Sequence, residues 1–122
     1  MANPRSSKAK GRRLQNMVRD KLRVAFMQDL EDDDIKSQIM GVNGEDIVLS
    51  PAARKLIPYS IECKNTESLN VWAAWKQACA NAGEHEPLLI IKRNRAQPLA
   101  VVDAKHFVKL STGGKDEKHD DA

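Results

Sequence analysis

Cysteine and histidine are scarce in this chain of 122 residues, which has two cysteines and three histidines. Cys63 and Cys79 are too few and too far apart for a zinc site or a disulfide framework, and no histidine stands at ligand spacing from a cysteine or another histidine. This distribution argues against a structural zinc ion and against an HExxH metal site. We therefore expect both cysteines to be reduced and buried as small apolar residues.

Long apolar segments are also lacking, because no run approaches the roughly 20 residues that a membrane-spanning helix needs. Residues 1–10 are polar and basic and do not have the form of a secretory signal. The composition, with 41% hydrophobic and 30% charged residues, is typical of a globular protein, and the length fits one domain. These features predict a single cytoplasmic domain that has no membrane partner.

The net charge of +3 hides an uneven distribution of charge. Residues 1–28 carry eight lysines and arginines against one acid, residues 29–34 carry five acids, and residues 111–122 carry four acids against two lysines. A local basic concentration is typical of a surface that meets phosphates. A solvated helix face would carry the same charges, so both interpretations of the amino-terminal cluster stay open.

Apolar residues at spacings of three and four predict a helix from Lys10 to Leu30. The opposite face of this helix carries four arginines. The apolar face could pack on a sheet while the arginine face meets solvent or a polyanion. The arginines are Arg12, Arg13, Arg19 and Arg23. Residues 1–9 are expected to form a basic flexible arm, and residues 10–110 a single domain.

Short strands and helices are predicted along the rest of the chain. Ile35–Met40 is a strand or an irregular edge that leads to a turn at 42–44, and Asp46–Leu49 is a strand. Ser50 and Pro51 begin a short helix that Pro58 stops, and Tyr59–Lys64 is the next strand. The order of the elements predicts an α/β fold in which helices flank a mixed β-sheet.

The second half of the domain begins with a helix capped by Ser68 that runs to Ala82 and ends at Gly83. Trp72 and Trp75 occur at helical spacing on its apolar stripe, which favours a core role over base stacking. Residues 87–92 and 98–102 predict a hairpin, and residues 104–110 a last helix that packs through Phe107. Residues 111–122 have no periodicity and are expected to be disordered.

The chemistry is concentrated in two segments, Gly44–Leu49 and Ser60–Lys64. Residues two apart on a strand share a face, so Glu62 and Lys64 project together while Cys63 turns away. If the strand from Asp46 pairs with this one, Asp46 falls close to Glu62. Two carboxylates, with the carbonyl of Cys63, would suit Mg²⁺ or Mn²⁺. Such a cation activates water and stabilises charge on a phosphate, and Lys64 would assist beside it.

The alternative is that Asp46 and Glu62 are a turn acid and a strand acid paired with Lys64 across the sheet. An acid within the apolar run Ile61–Glu62–Cys63 fits that interpretation less well, because its burial requires a compensating cation. Glu45 is expected to point away from Asp46. Three cations near the predicted hairpin, Lys92, Arg93 and Arg95, are better placed for contact with a DNA backbone than for a core.

This pattern of Asp46, Glu62 and Lys64 resembles the PD-(D/E)xK nuclease superfamily. The run Lys10-Gly11-Arg12-Arg13-Leu14-Gln15, which opens the basic helix, is similar to the archaeal Holliday junction resolvase branch and to small phage-borne nucleases. The resemblance covers residues 8–110. It implies a restriction-endonuclease-like core, a magnesium-dependent endonuclease, a homodimer, and branched or duplex DNA as the partner in a bacterial or phage-infected cell.

The same resemblance implies roles for residues outside the central motif. Gln77 would support the lysine or the attacking water, and Ser37 would touch the region of the scissile phosphate. Gln15 stands where that branch has a glutamate on the first helix, and this departure puts a second metal in doubt. Two other functions stay open: a nicking or homing-type duplex endonuclease, and a DNA-binding protein without turnover on the same fold.

Overall fold

The computed structural model describes residues 4–39, 41–42 and 44–113. In chain order the elements are α1 (Pro4–Ala25), β1 (Ile35–Ser37), β2 (Ile47–Leu49), α2 (Pro51–Leu56), β3 (Tyr59–Asn65), α3 (Val71–Ala82), β4 (Glu86–Lys92), β5 (Leu99–Val101) and α4 (Ala104–Ser111). A single 3-10 turn at Asp32–Asp34 precedes β1. The predicted mixed α/β architecture with flanking helices is confirmed.

The strands form two sheets that meet at Asp46. Strands β1 and β2 are antiparallel, while β3 pairs parallel with β4, which pairs antiparallel with β5 as the predicted hairpin. The backbone N–H of Asp46 donates to the carbonyl of Ile61 at 2.8 Å, so the β1–β2 pair lies beside β3. Helix α3 makes the crossover that a parallel pair requires.

Two apolar clusters cover opposite faces of the central strands. Helix α1 packs with Leu14 against a cluster that includes Ile35, Ile47, Ile61 and Cys63. Helix α3 packs with Ala74 and Ala78 against Leu89 of β4. Strand β3 is therefore packed on both faces, and Ser60 and Glu62 on its α3 side are buried.

Helix α1 differs from the prediction at both ends. It begins at Pro4, which suits the first helical position because a proline there loses no hydrogen bond. Six of the nine residues of the predicted flexible arm are therefore helical, and residues 1–3 lie outside the described residues. The helix ends at Ala25, not Leu30. Phe26 and Leu30 lie in the turn that follows the helix, and this turn packs them on the same apolar cluster as α1. Their spacing in the sequence therefore looks helical although the backbone is not.

Helix α3 presents a different face from the predicted one. Its amino-terminal cap is Asn70, whose side chain accepts the N–H of Ala73, and not Ser68. Alanines face the sheet and allow a close approach, so Trp72 is 82% exposed and Cys79 is exposed. The predictions of a core Trp72 and a buried Cys79 are wrong, whereas Trp75 is half-buried against the second cluster.

Helix α4 is attached through a polar contact. The prediction that Phe107 packs on the domain is wrong, because this side chain is largely exposed. Instead the Tyr59 hydroxyl and His106 Nε2 are 2.7 Å apart and share a hydrogen bond. Ser111 belongs to this helix, and residues 114–122 of the predicted disordered tail lie outside the described residues, as does Asn43 of the predicted turn.

Within the described ranges, no helix combines the length and the apolarity that crossing a lipid bilayer requires.

Candidate active site

Asp46 is held by three neighbouring elements just before β2 begins. Its carboxylate accepts the backbone N–H of Cys63 at 2.7 Å, which ties it to β3. Its carbonyl accepts the N–H of Gln38 at 2.8 Å and the side-chain amide of Gln15 at 3.1 Å. Asp46 therefore sits where β1, β3 and α1 converge, and the predicted closeness of Asp46 to the strand that carries Glu62 is present.

Glu62 lies in the middle of β3 and is only 3% exposed. The pKa of its carboxyl is raised to about 7, first by burial and second by the negative charge of Asp46, while the Asn81 hydrogen bond and the Lys64 charge oppose this increase. Burial also raises the pKa of Asp46, against the hydrogen bond from Cys63 and the charge of Lys64. Two adjacent carboxyls are thus costly to ionise here, which is the electrostatic setting that a bound cation relieves.

A cleft of about 170 Å³ opens beside Asp46, between α1, the 39–42 segment and the end of β3. Lys64 and Gln15 line it together with Asp46 and Cys63. Gln15 is 4% exposed, and its Oε1 atom is buried with no hydrogen-bond partner among the described residues. A buried amide oxygen without a partner is uncommon, and it favours a bound group at this point.

The backbone of β3 adds a further oxygen. The N–H of Cys63 points toward β2, where it meets the Asp46 carboxylate, and the N–H and carbonyl of one residue in a strand point to the same side. The carbonyl of Cys63 therefore points to the same side of β3 as Asp46, which lies just before β2. In the described part of the chain, no group of three or more His, Cys, Asp and Glu side chains is arranged to hold a metal. A cation here would depend on two carboxylates and on neutral oxygens.

Two further residues, Asn81 and Arg54, hold acidic side chains in this region. Asn81 of α3 donates to Glu62 Oε2 at 3.4 Å, a long hydrogen bond. Arg54 of α2 pairs with Glu45 and also donates to the carbonyl of Tyr59 at 2.7 Å. Glu45 thus points to α2, as expected for a neighbour of Asp46. Neither support has a local sequence signal, because both depend on how α2 and α3 pack.

Gln77 is exposed on α3, one turn before Asn81. Helix α3 runs antiparallel to β3, so moving toward the start of the helix corresponds to moving toward the end of the strand. Four helical residues span about 6 Å and two strand residues span about 7 Å, so these two steps are nearly equal in length. Because Asn81 stands opposite Glu62, this relation assigns Gln77 to the level of Lys64. The described residues include no hydrogen bond between Gln77 and Lys64, and the predicted support of the lysine stays a prediction.

The predicted DNA contacts of α1 divide into outward and inward residues. Arg12 and Arg13 are exposed, whereas Lys10 is half-buried and Gln15 faces the cleft. Of the other two arginines of the basic face, Arg19 pairs with Asp20, and Arg23 donates to the carbonyl of Ile35 at 2.9 Å. The free basic surface of α1 is therefore narrower than the sequence suggests.

Ser37 lies at the end of β1, where its hydroxyl donates to the side chain of Asn16 on α1 at 2.8 Å. This bond ties β1 to α1. It leaves the predicted contact between Ser37 and a phosphate without a counterpart in the described geometry, so that contact stays a prediction.

The hairpin between β4 and β5 presents the second basic group. Lys92 ends β4, and Arg93 and Arg95 are exposed in the turn that follows. Arg95 has a φ of 62°, in the left-handed region where glycine is favoured. The Glu67 carboxylate accepts the backbone N–H of Asn94 and anchors the turn to the loop before α3. The structure thus holds a charged residue at a strained, exposed tip.

No family model, no curated protein and no solved structure matches the chain.

Proposed function

We propose that the protein is a metal-dependent endonuclease that hydrolyses DNA phosphodiester bonds at branched structures, in the manner of a Holliday junction resolvase. The observation that carries the proposal is the placement of Asp46 beside Glu62 and Lys64 where β2 leaves β3. A buried carboxyl and a half-buried one, both with raised pKa values, beside a lysine are typical of catalytic sites. Asp46 and Lys64 line the cleft, whereas Glu62 is not among the residues that line it.

The residues at this point fit Mg²⁺ or Mn²⁺. Asp46 and Glu62 would supply the charged oxygens, and the carbonyl of Cys63 and the unpartnered Oε1 of Gln15 would supply neutral ones. Hard oxygen donors are what Mg²⁺ prefers, and it usually takes only one or two carboxylates and keeps several waters. A bound divalent cation would lower the pKa of water and polarise the phosphate.

The side chains divide the rest of the reaction among them. Asp46 is fixed by the Cys63 N–H, so its second oxygen is free to orient toward a ligand. Lys64 lines the cleft, where its ammonium would bind a phosphate oxygen and stabilise the charge that develops during hydrolysis. Gln77, at the level of Lys64, would help to orient that ammonium or the attacking water.

The exposed cations would position DNA across the cleft. Arg12 and Arg13 lie on α1, which forms one wall of the cleft, and Arg93 and Arg95 lie in the turn beyond the sheet. Half-buried Lys92 lies opposite Asn65, the last residue of β3. Contacts of this kind bind the backbone without reading sequence. A four-way junction needs two symmetric nicks, which two active sites related by a two-fold axis would make, so we also propose a homodimer.

The test is cleavage of an end-labelled four-way junction, a nicked duplex and a linear duplex, with Mg²⁺ or EDTA. Wild type is compared with Glu62→Gln, which keeps the shape of the side chain, and with Glu84→Gln, a matched change at an exposed loop residue. Paired nicks in the junction that need Mg²⁺ and disappear only in Glu62→Gln support the proposal. Cutting of linear duplex with the junction ignored indicates a duplex endonuclease, and binding without any cleavage indicates a protein without turnover.

A further inference from the structure

A second cleft, separate from the candidate active site, lies beyond the carboxyl ends of the parallel strands β3 and β4. We name it the hairpin cleft; it has a volume of about 290 Å³. Its floor is formed by Leu69, Val71 and Ile91, which belong to the edge of the second apolar cluster. Leu99, opposite Ile91 in the β4–β5 register, forms a wall and is 61% exposed. Crevices at the carboxyl ends of strands are the usual ligand sites of open α/β sheets.

The rim of the hairpin cleft is polar and carries two cations. Thr66 and Gln97 supply hydrogen-bonding groups at its sides, and Lys92 and Arg93 supply positive charge. The one carboxylate that lines it, that of Glu67, is engaged with the backbone N–H of Asn94. An apolar lining with hydrogen-bonding groups at its sides and cations at its rim complements a ligand that has a flat apolar body, polar edges and an attached phosphate.

The hairpin cleft and the candidate active site both lie near the carboxyl end of β3. Thr66 follows Lys64 by two residues, and its N–H donates to the carbonyl of Lys92 at 3.0 Å, so β3 and β4 remain paired up to the rim. Two residues of strand span about 7 Å. Lys64 of the candidate site and Thr66 of the hairpin cleft are therefore close along β3.

From these features we infer that the hairpin cleft binds one unpaired nucleobase of the DNA, with Lys92 and Arg93 on the adjoining phosphate. The inference rests on the proposed function for DNA as the partner, and it deepens that function by naming the unpaired nucleotide as the feature that is selected. An unpaired base at a branch point costs little to move into a pocket, whereas a paired base must first be unstacked. Preference for branched over regular DNA would follow from this difference.

The test is binding in EDTA, where no cleavage is expected. Fluorescence anisotropy gives the Kd for a duplex with a single 2-aminopurine bulge and for the same duplex fully paired, and the 2-aminopurine emission reports stacking of the base. Ala96→Phe fills the hairpin cleft without a change of charge, and Ala52→Phe is the matched change at an exposed residue of α2 that lines neither cleft.

Wild type and Ala52→Phe are expected to bind the bulged duplex roughly tenfold more tightly than the paired one, as stacking of one base provides. Ala96→Phe is expected to lose that preference while keeping the affinity for paired duplex and its salt dependence. An unchanged preference in Ala96→Phe, or no preference in wild type, overturns the inference. Binding is measured without Mg²⁺, so the two hypotheses can fail separately. Wild type that binds bulged DNA selectively but never cuts DNA would refute the proposed nuclease activity and still support base binding by the hairpin cleft.

Discussion

Replacement of Glu62 by glutamine is expected to stabilise the protein, and the amount depends on pH. The folded chain raises the pKa of this carboxyl from 4.5 to about 7, chiefly through burial. A raised acid pKa means that the folded state prefers the protonated form, so stability is full below pH 4.5 and is lost as the pH rises toward 7. At about 1.4 kcal/mol for each pKa unit, the folded wild type loses about 3 kcal/mol by pH 8.

Glu62→Gln removes this loss because glutamine does not ionise. The variant is expected to exceed wild type by about 1 kcal/mol at pH 5 and by about 3 kcal/mol at pH 8 in the free energy of unfolding. Urea denaturation in EDTA at the two pH values measures the difference. Asp20 and Asp34, whose hydrogen bonds lower their pKa values, are present in both proteins and cancel in the comparison.

Glu84→Gln serves as the control, since this exposed glutamate lies in the loop between α3 and β4. Surface substitutions of this kind change the free energy of unfolding by less than about 0.5 kcal/mol. A Glu62→Gln variant that is equally or less stable than wild type at pH 8 would refute the reasoning. It would mean that the side chain of Glu62 is ionised in the fold and stabilised by its neighbours, as in a structural ion pair with Lys64.

Mg²⁺ is expected to raise the Tm more at pH 8 than at pH 6, because the cation competes with a proton for Glu62. An equal rise at both pH values in thermal scans would contradict binding at Glu62. Trp72→Ala is expected to lower the free energy of unfolding by less than about 1 kcal/mol, whereas Leu14→Ala, at a fully buried site, should lower it by about 2–5 kcal/mol. Similar losses in urea denaturation would contradict the exposure of Trp72. Arg95→Gly is expected to stabilise the fold by about 1 kcal/mol and to weaken DNA binding, and lower stability would show that its φ of 62° is not strained.

The order of the elements was predictable from the sequence because it depends on local signals. Ser50 followed by Pro51 predicts the start of α2, and the hydroxyl of Ser50 does accept the N–H of Ala53. Gly83 predicts the end of α3 and has a φ of 59° there. The burial of α3 was not predictable in this way, since Trp72 and Trp75 have similar apolar character. Packing placed alanines against the sheet, and the sequence pattern alone does not distinguish the two faces.

The candidate site was predictable in its acids and lysine but not in its supports. Strand alternation relates Glu62 to Lys64 through short-range geometry. Asp46 comes beside them only because the start of β2 lies next to β3, which the sequence allowed but did not require. Asn81 and Arg54 reach this region through the packing of α3 and α2, which no spacing in the sequence reveals. The hairpin cleft was missed for the same reason, because its walls come from three separate segments.

The burial of Glu62 is difficult to explain by stability alone. An apolar residue of similar size at this position of β3 would avoid the desolvation of a carboxyl, and no cationic side chain of the described residues lies within ion-pair distance of it. Lys64 instead lines the cleft, and the only described hydrogen bond to the Glu62 carboxyl is the long one from Asn81. Glu62 is thus costly in the absence of a ligand, and the unpartnered oxygen of Gln15 lines the cleft beside Asp46. A cation bound beside Asp46 and Glu62 would offset the charge of Glu62, so the metal dependence of stability and the metal dependence of cleavage are expected to change together in Glu62→Gln.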